Sequence, residues 1–165
     1  MKLKTSYLIS GFKDQIFEIH AEQLADRGTV FSNKIIKCKL TSVLITDKIN
    51  LTGEVKASLS YECIRCLEIN PKSITVPINL MVVFCKKTYT DEHYKDIIYL
   101  KNENDFIDLN IILADIIELA EPMKPLCNQD CKGLCQMCGV NKKFSCQCKF
   151  QDNTTNWEAL KPLQN

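Results

Sequence analysis

The sequence predicts an α+β protein: an antiparallel β-rich domain, a sheet or a partly open barrel, with one or two short helices and a C-terminal Cys-rich tail. Three observations point there. Apolar residues recur at every second position over two long runs, the period of strands with one buried and one wet face. One later segment changes to helical spacing. Six of the ten cysteines then fall between Cys127 and Cys148, in a stretch with no useful apolar period.

The elements follow in chain order. Gln15 to His20 reads as a short strand, and residues 20–28 as a brief helix or turn closing at Gly28. Residues 34–45 read as a further strand. Ile49, Leu51, Gly53, Val55, Ala57, Leu59 and Tyr61 form the clearest alternation, with a polar residue between each neighbouring pair. Gly53 is expected to mark a bulge or bend, because glycine weakens a strand interior. Ile74, Val76, Ile78, Leu80 and Val82 form the second alternation, and Pro77 implies an edge there that donates no hydrogen bond. An antiparallel hairpin joins the two runs, with Cys63-Ile64-Arg65-Cys66 near its tip. Residues 87–95 read as a loop and Asp96 to Leu100 as a strand. Asp108 is placed to cap a helix near 109–120, carried by Leu109, Ile112, Leu113, Ile116, Ile117 and Ala120 and stopped by Pro122 and Pro125. The expected division is a β-rich domain over 1–122 and a metal-binding tail over 123–165, packed on it.

Length and composition narrow the class. A chain of 165 residues can bury one core, so no staple is obligatory for folding. Hydrophobic content of 45% and charged content of 25% are ordinary for a globular protein. No run reaches the ~18 apolar residues of a membrane span, so no membrane partner is expected. The start lacks the apolar region and small-residue cleavage site of a secretory signal, which makes a cytoplasmic location the expectation. In a reducing compartment clustered thiols serve metals rather than disulfides. Without export, the glycosylation patterns at Asn50 and Asn153 are chance matches.

The formal charge is +1, whereas proteins that grip bare nucleic acid through one large footprint are usually far more basic. The charge is uneven: residues 86–121 are mostly acidic, and 124–149 carry five lysines against Asp130 alone.

The tail reads Cys127-x3-Cys131-x3-Cys135-x2-Cys138-x7-Cys146-x-Cys148. Zinc takes four soft ligands in a tetrahedron, and thiolates at ~2.3 Å serve well. Gly139 after Cys138, and Gly133 between Cys131 and Cys135, permit the positive φ of turns whose amides approach sulfur. Cys63 and Cys66 raise the clustered total to eight, enough for two four-cysteine sites and one or two zinc ions. One partition joins Cys135, Cys138, Cys146 and Cys148 and sets Cys63 and Cys66 with Cys127 and Cys131; others are sterically open. The tail is thus expected to be a zinc-binding tail. Cys38 and Cys85 lie in strand-like runs and read as small core residues.

Competing chemistry finds less support. The spacings match neither ferredoxin pattern, and a redox Cys-x-x-Cys belongs at a helix start in a βαβ setting. There is no phosphate-binding glycine loop, and His20 and His93 stand alone. Closed all-cysteine sites are structural, so no catalysis and no small-molecule substrate are expected.

The residues resemble a known family. Cys63-Ile64-Arg65-Cys66-Leu67-Glu68 is similar to the Cys-x-Arg-Cys-Leu-Glu signature of the YceD-like family, the large ribosomal RNA subunit accumulation proteins. Leu119 to Cys127 resembles its segment ending Pro-x-x-Pro-Leu-Cys. Cys131-Lys132-Gly133-Leu134-Cys135 with Cys138-Gly139-Val140-Asn141 resembles its next block, and Cys146-Gln147-Cys148 its closing Cys-x-Cys. Trp157 to Leu160 resembles its terminal helix, so the likeness spans about residues 10–165. Gln136 stands where the family commonly has proline, and Lys142-Lys143 replace a Leu-Asn pair. The resemblance implies a non-catalytic role in large-subunit ribosomal RNA accumulation and ribosome assembly, with that RNA or a pre-ribosomal particle as partner.

Within that role, Lys132, Lys142, Lys143 and Lys149 are candidates for phosphate contacts, Phe144 and Phe150 for stacking, and Arg65 for a bidentate phosphate contact. The alternative is an adaptor whose sheet or acidic segment docks a basic ribosomal protein without touching RNA. A thiol redox protein is the third reading.

Overall fold

A computed structural model describes residues 1–46, 48–84, 97–100 and 105–148. The chain forms two compact units. The first holds Met1–Tyr61 and Ile69–Met123, and the second holds Glu62–Glu68 and the chain from Lys124 onward.

The first unit is α+β, as the sequence predicts. Its strands are β1 (Lys2–Lys4), β2 (Phe12–His20), β3 (Ile35–Ile45), β4 (Lys48–Glu62), β5 (Ile69–Phe84), β6 (Ile97–Leu100) and β7 (Phe106–Asp108). Its helices are α1 (Thr5–Ser10) and α2 (Leu109–Leu119), with a one-turn 3-10 segment at Ala21–Gln23. The main sheet runs β2-β3-β4-β5-β6, and β1 pairs separately with β7. Among the described residues β2 and β6 are its edges, so it is an open sheet rather than a closed barrel.

Alternation places the core. Ile49, Leu51, Val55, Ala57 and Leu59 of β4 are buried, as are Ile78, Leu80 and Val82 of β5. Ile36, Cys38 and Leu40 add the matching face of β3. Each fully buried Leu, Ile or Val contributes about 1.5–3 kcal/mol relative to exposure. Cys38 is a core residue, and burial pushes its thiol up to about 12, which leaves it unreactive. Cys85 and the loop expected over 87–95 lie outside the described residues.

Asp108 caps α2 as expected, its carboxylate accepting the Asn110 N–H at 3.0 Å. Leu109, Leu113 and Ile117 face the core at helical spacing. Pro77 lies in the part of β5 beyond the β6 pairing, which covers only Met81–Phe84, so its missing N–H costs that ladder nothing.

Gly53 differs from expectation. The β3–β4 register runs unbroken from Lys37/Lys56 to Ile45/Lys48, so there is no bulge. The glycine is required by close approach: a Cβ would overlap the Lys39 carbonyl oxygen. β6 also runs parallel to β5, making the sheet mixed. Among the described residues no helix is long and apolar enough to cross a membrane.

Candidate metal centres

The second unit is built from two Cys-x-x-Cys turns with the same backbone bonding. In the first, Leu67 N–H donates to the Cys63 carbonyl at 2.8 Å and Cys63 N–H to the Glu68 carbonyl at 2.9 Å. In the second, Gly139 N–H donates to the Cys135 carbonyl at 2.8 Å and Cys135 N–H to the Val140 carbonyl at 2.7 Å. Each turn needs a left-handed residue just after its second cysteine. Gly139 takes φ 71° without a steric cost, whereas Leu67 holds φ 61° with a side chain.

Further backbone bonds bring the remaining thiols in. Ile64 N–H donates to the Pro125 carbonyl at 3.1 Å, which lays the 125–131 segment beside the first turn. Leu134 N–H donates to the Arg65 carbonyl at 3.1 Å. That approach requires Gly133, whose φ is 72° and where a Cβ would lie 2.9 Å from the Arg65 carbonyl oxygen.

The result is two groups of four thiols. Cys63, Cys66, Cys127 and Cys131 form one, and Cys135, Cys138, Cys146 and Cys148 form the other. Within each, every sulfur lies within 4.8 Å of the others. A tetrahedron with metal–sulfur bonds of ~2.3 Å has edges of about 3.8 Å. Cys63 Sγ stands 3.8 Å from Cys131 Sγ, and Cys66 Sγ 3.6 Å from Cys127 Sγ. These are ligand edges, far longer than the ~2.05 Å of a disulfide, and all eight cysteines are free. Either group could hold a metal ion. The first is largely buried, with Cys63, Cys66 and Cys131 all below a tenth exposed. In the second Cys135 is buried, but Cys138 and Cys148 are exposed.

Electrostatics fit a cation in each group. Backbone donation at Cys127 first, and then at Arg65 and Cys66, draws the Cys63 thiol down to about 6. Backbone donation at Cys138 first, then at Met137, does the same for Cys135. The Cys148 thiol is pushed up to about 12, first by the Cys138 thiol, with the Cys135 thiol adding to it. At Cys66 the Glu68 amide favours the thiolate, but burial and the crowding thiols outweigh it and push the thiol up to about 12. Four thiolates cannot share so small a volume without a positive charge at their centre.

Arg65 donates from Nη1 to the Cys131 carbonyl at 2.8 Å, so part of its guanidinium is committed to the first cluster's loop. The Lys143 ammonium bonds the Glu68 carboxylate. That bond is the first cause both of Glu68's lowered pKa and of Lys143's raised one. Lys132, Lys142 and Phe144 are exposed, while Lys149 and Phe150 lie outside the described residues.

Two residues with a role here, Glu68 and Asn141, stand inside the Cys-x-Arg-Cys-Leu-Glu and Cys-Gly-x-Asn stretches, which by themselves do not state that role. Glu68 Oε2 lies 3.8 Å from Cys66 Sγ, and Glu68 Oε1 accepts Asn141 Nδ2 at 2.8 Å. Their place in those two stretches, each at a cysteine turn, is the signal that marks them.

Residues 51–164 match the family described as Large ribosomal RNA subunit accumulation protein YceD. An uncharacterised protein of Mycobacterium bovis is 33% identical over 97 residues, covering 58% of this chain and 46% of the relative. A Zea mays protein named Large ribosomal RNA subunit accumulation protein YCED homolog 1, chloroplastic, is 26% identical over 156 residues, covering 76% of this chain and 52% of the relative. The chain spans about half the length of the curated relatives it matches. No solved structure matches it. With well over half of its length matched, both cysteine turns included, the chain belongs to the YceD family.

Proposed function

We propose that the chain is a non-catalytic factor for the accumulation of large-subunit ribosomal RNA, acting in ribosome assembly in the cytoplasm. Family membership carries this reading, together with the name of the Zea mays relative. Both four-cysteine groups then hold zinc as closed, structural centres: Cys63, Cys66, Cys127 and Cys131 for one ion, and Cys135, Cys138, Cys146 and Cys148 for the other. The metal supplies cross-links that order a unit poor in apolar residues.

On this reading Lys132 and Lys142 meet phosphate and Phe144 stacks on an unpaired base, with Lys149 extending the contact. Arg65 and Lys143 contribute less, because each already holds an internal partner. One observation favours docking on a basic ribosomal protein instead. The second unit has seven Lys and Arg against five Asp and Glu, a formal +2. Two zinc–tetrathiolate centres carry −2 each, so loading turns the unit to −2. That charge suits a basic protein better than a bare phosphate backbone.

The test is the ratio of large- to small-subunit ribosomal RNA in cells whose own family member has been depleted and replaced by this chain. Restoration of the ratio supports the role, and no restoration by well-expressed chain contradicts it. Crosslinking in the same cells separates the partners, because an adaptor joins to protein and poorly to RNA.

A further inference from the structure

We propose that Glu68 is a positioning residue that couples the two cysteine clusters, so that filling either raises the affinity of the other for metal. The inference rests on the reading of both clusters as metal sites.

The second cluster's loop, between Cys138 and Cys146, carries Asn141 and Lys143. Both side chains reach out of that cluster to one carboxylate in the first turn: Asn141 Nδ2 donates to Glu68 Oε1 at 2.8 Å, and the Lys143 ammonium bonds Glu68 Oε2. The same Oε2 stands 3.8 Å from Cys66 Sγ. A carboxylate so close to a ligand sulfur adds negative charge beside a tetrathiolate that already carries −2 when loaded. Without the loop's two contacts, less of that charge is offset and the loaded state is less favoured than with them. With Lys143 bound its charge is neutralised, and with Asn141 bound its orientation is set.

The backbone ties the same segments. Leu134 and Asn141 form a bridge, Lys142 N–H donates to the Gly133 carbonyl at 2.9 Å, and Leu134 N–H to the Arg65 carbonyl at 3.1 Å. The loop that the second metal closes is therefore the loop that delivers the counter-charge to the first site. When the second site is empty, the loop loses its closure and Glu68 loses both of these contacts. Linkage makes the effect reciprocal.

The test uses the full reduced chain and cobalt(II) as probe, read by its thiolate charge-transfer absorbance in competition with a chelator. Emptying the second site with Cys135→Ser and Cys138→Ser is expected to lower the first site's affinity about 10-fold, inside the ~5–150-fold span of typical couplings. Glu68→Ala with all cysteines present should leave it near the unaltered value, because the opposing charge leaves together with the need to offset it. Adding Glu68→Ala to the double cysteine variant should restore most of the lost affinity, since the carboxylate that opposes loading is gone. Glu68→Gln, which also removes the charge, should restore it likewise, which a general loss of folding would not allow. If neither change restores affinity to the double cysteine variant, or the cysteine variant leaves the first site unchanged, Glu68 does not couple the clusters. If the unaltered chain shows no cobalt–thiolate absorbance, the metal reading itself fails and the coupling with it.

Discussion

The two cysteine turns share their backbone bonding and differ in almost everything else. The first recruits its other two thiols from across the chain, with Cys66 and Cys127 separated by 61 positions. The second closes within Cys135 to Cys148. The first is mostly buried and its left-handed residue is Leu67; the second is more exposed and uses Gly139. One turn type can therefore serve two purposes. The first cluster gathers two distant segments into one unit and so depends on the folding of the intervening chain, residues 69–123. The second is a local clip whose four ligands all come from one short stretch of chain.

Metal removal should break the comparison most strongly. Structural zinc is worth about 10–16 kcal/mol of apparent binding energy in small zinc-folded peptides. Chelation under reducing conditions should abolish hydrogen-exchange protection at Leu134, Cys135 and Ile64. Protection at Leu40 and Val55 should persist, because those residues sit in the first unit's own apolar core.

Single-ligand changes separate the two purposes. Cys66→Ser is expected to expose the amides of Ile64 and Cys131 together, since one centre orders both segments. Cys148→Ser should expose Cys135 and Gly139 and leave Ile64 and Cys131 protected. Equal loss in both variants, followed by hydrogen exchange, would mean that neither cluster forms without the other.

The glycines give a smaller contrast. Gly133→Ala meets both a positive φ and the Arg65 carbonyl, so a loss of about 2–3 kcal/mol is expected. Gly139→Ala meets only the positive φ in open space and should cost about 1 kcal/mol. Chelator competition reads both, at about tenfold in metal affinity per 1.4 kcal/mol. The smallest effect is a gain. Leu67→Asn places a residue that tolerates the left-handed region at an exposed site, and should tighten the first centre by a few tenths of a kcal/mol.

Most of the first unit was legible in the sequence because burial follows period. The alternations of β4 and β5 and the capped α2 emerge directly from residue spacing. β1, α1 and β7 do not, since two three-residue strands and a six-residue helix are too short to carry a period, even though Leu3 and its register partner Ile107 are both buried. Gly53 was legible as a special position but not as a close approach, which only the strand register reveals. In the site, the eight cysteines and the two tail glycines are readable from spacing. Glu68 and Asn141 are not, because a charged or amide side chain acquires its role only when a distant loop arrives beside it. Arg65 reads as a phosphate ligand in sequence, yet its Nη1 is turned to the Cys131 carbonyl.

The most direct test is elemental analysis of the purified full chain alongside Cys66→Ser and Cys148→Ser. Two separate closed centres predict about two zinc ions per chain, falling to about one in each variant. Loss of all metal from both variants, or an unaltered chain with a single ion shared among the eight thiols, would contradict them.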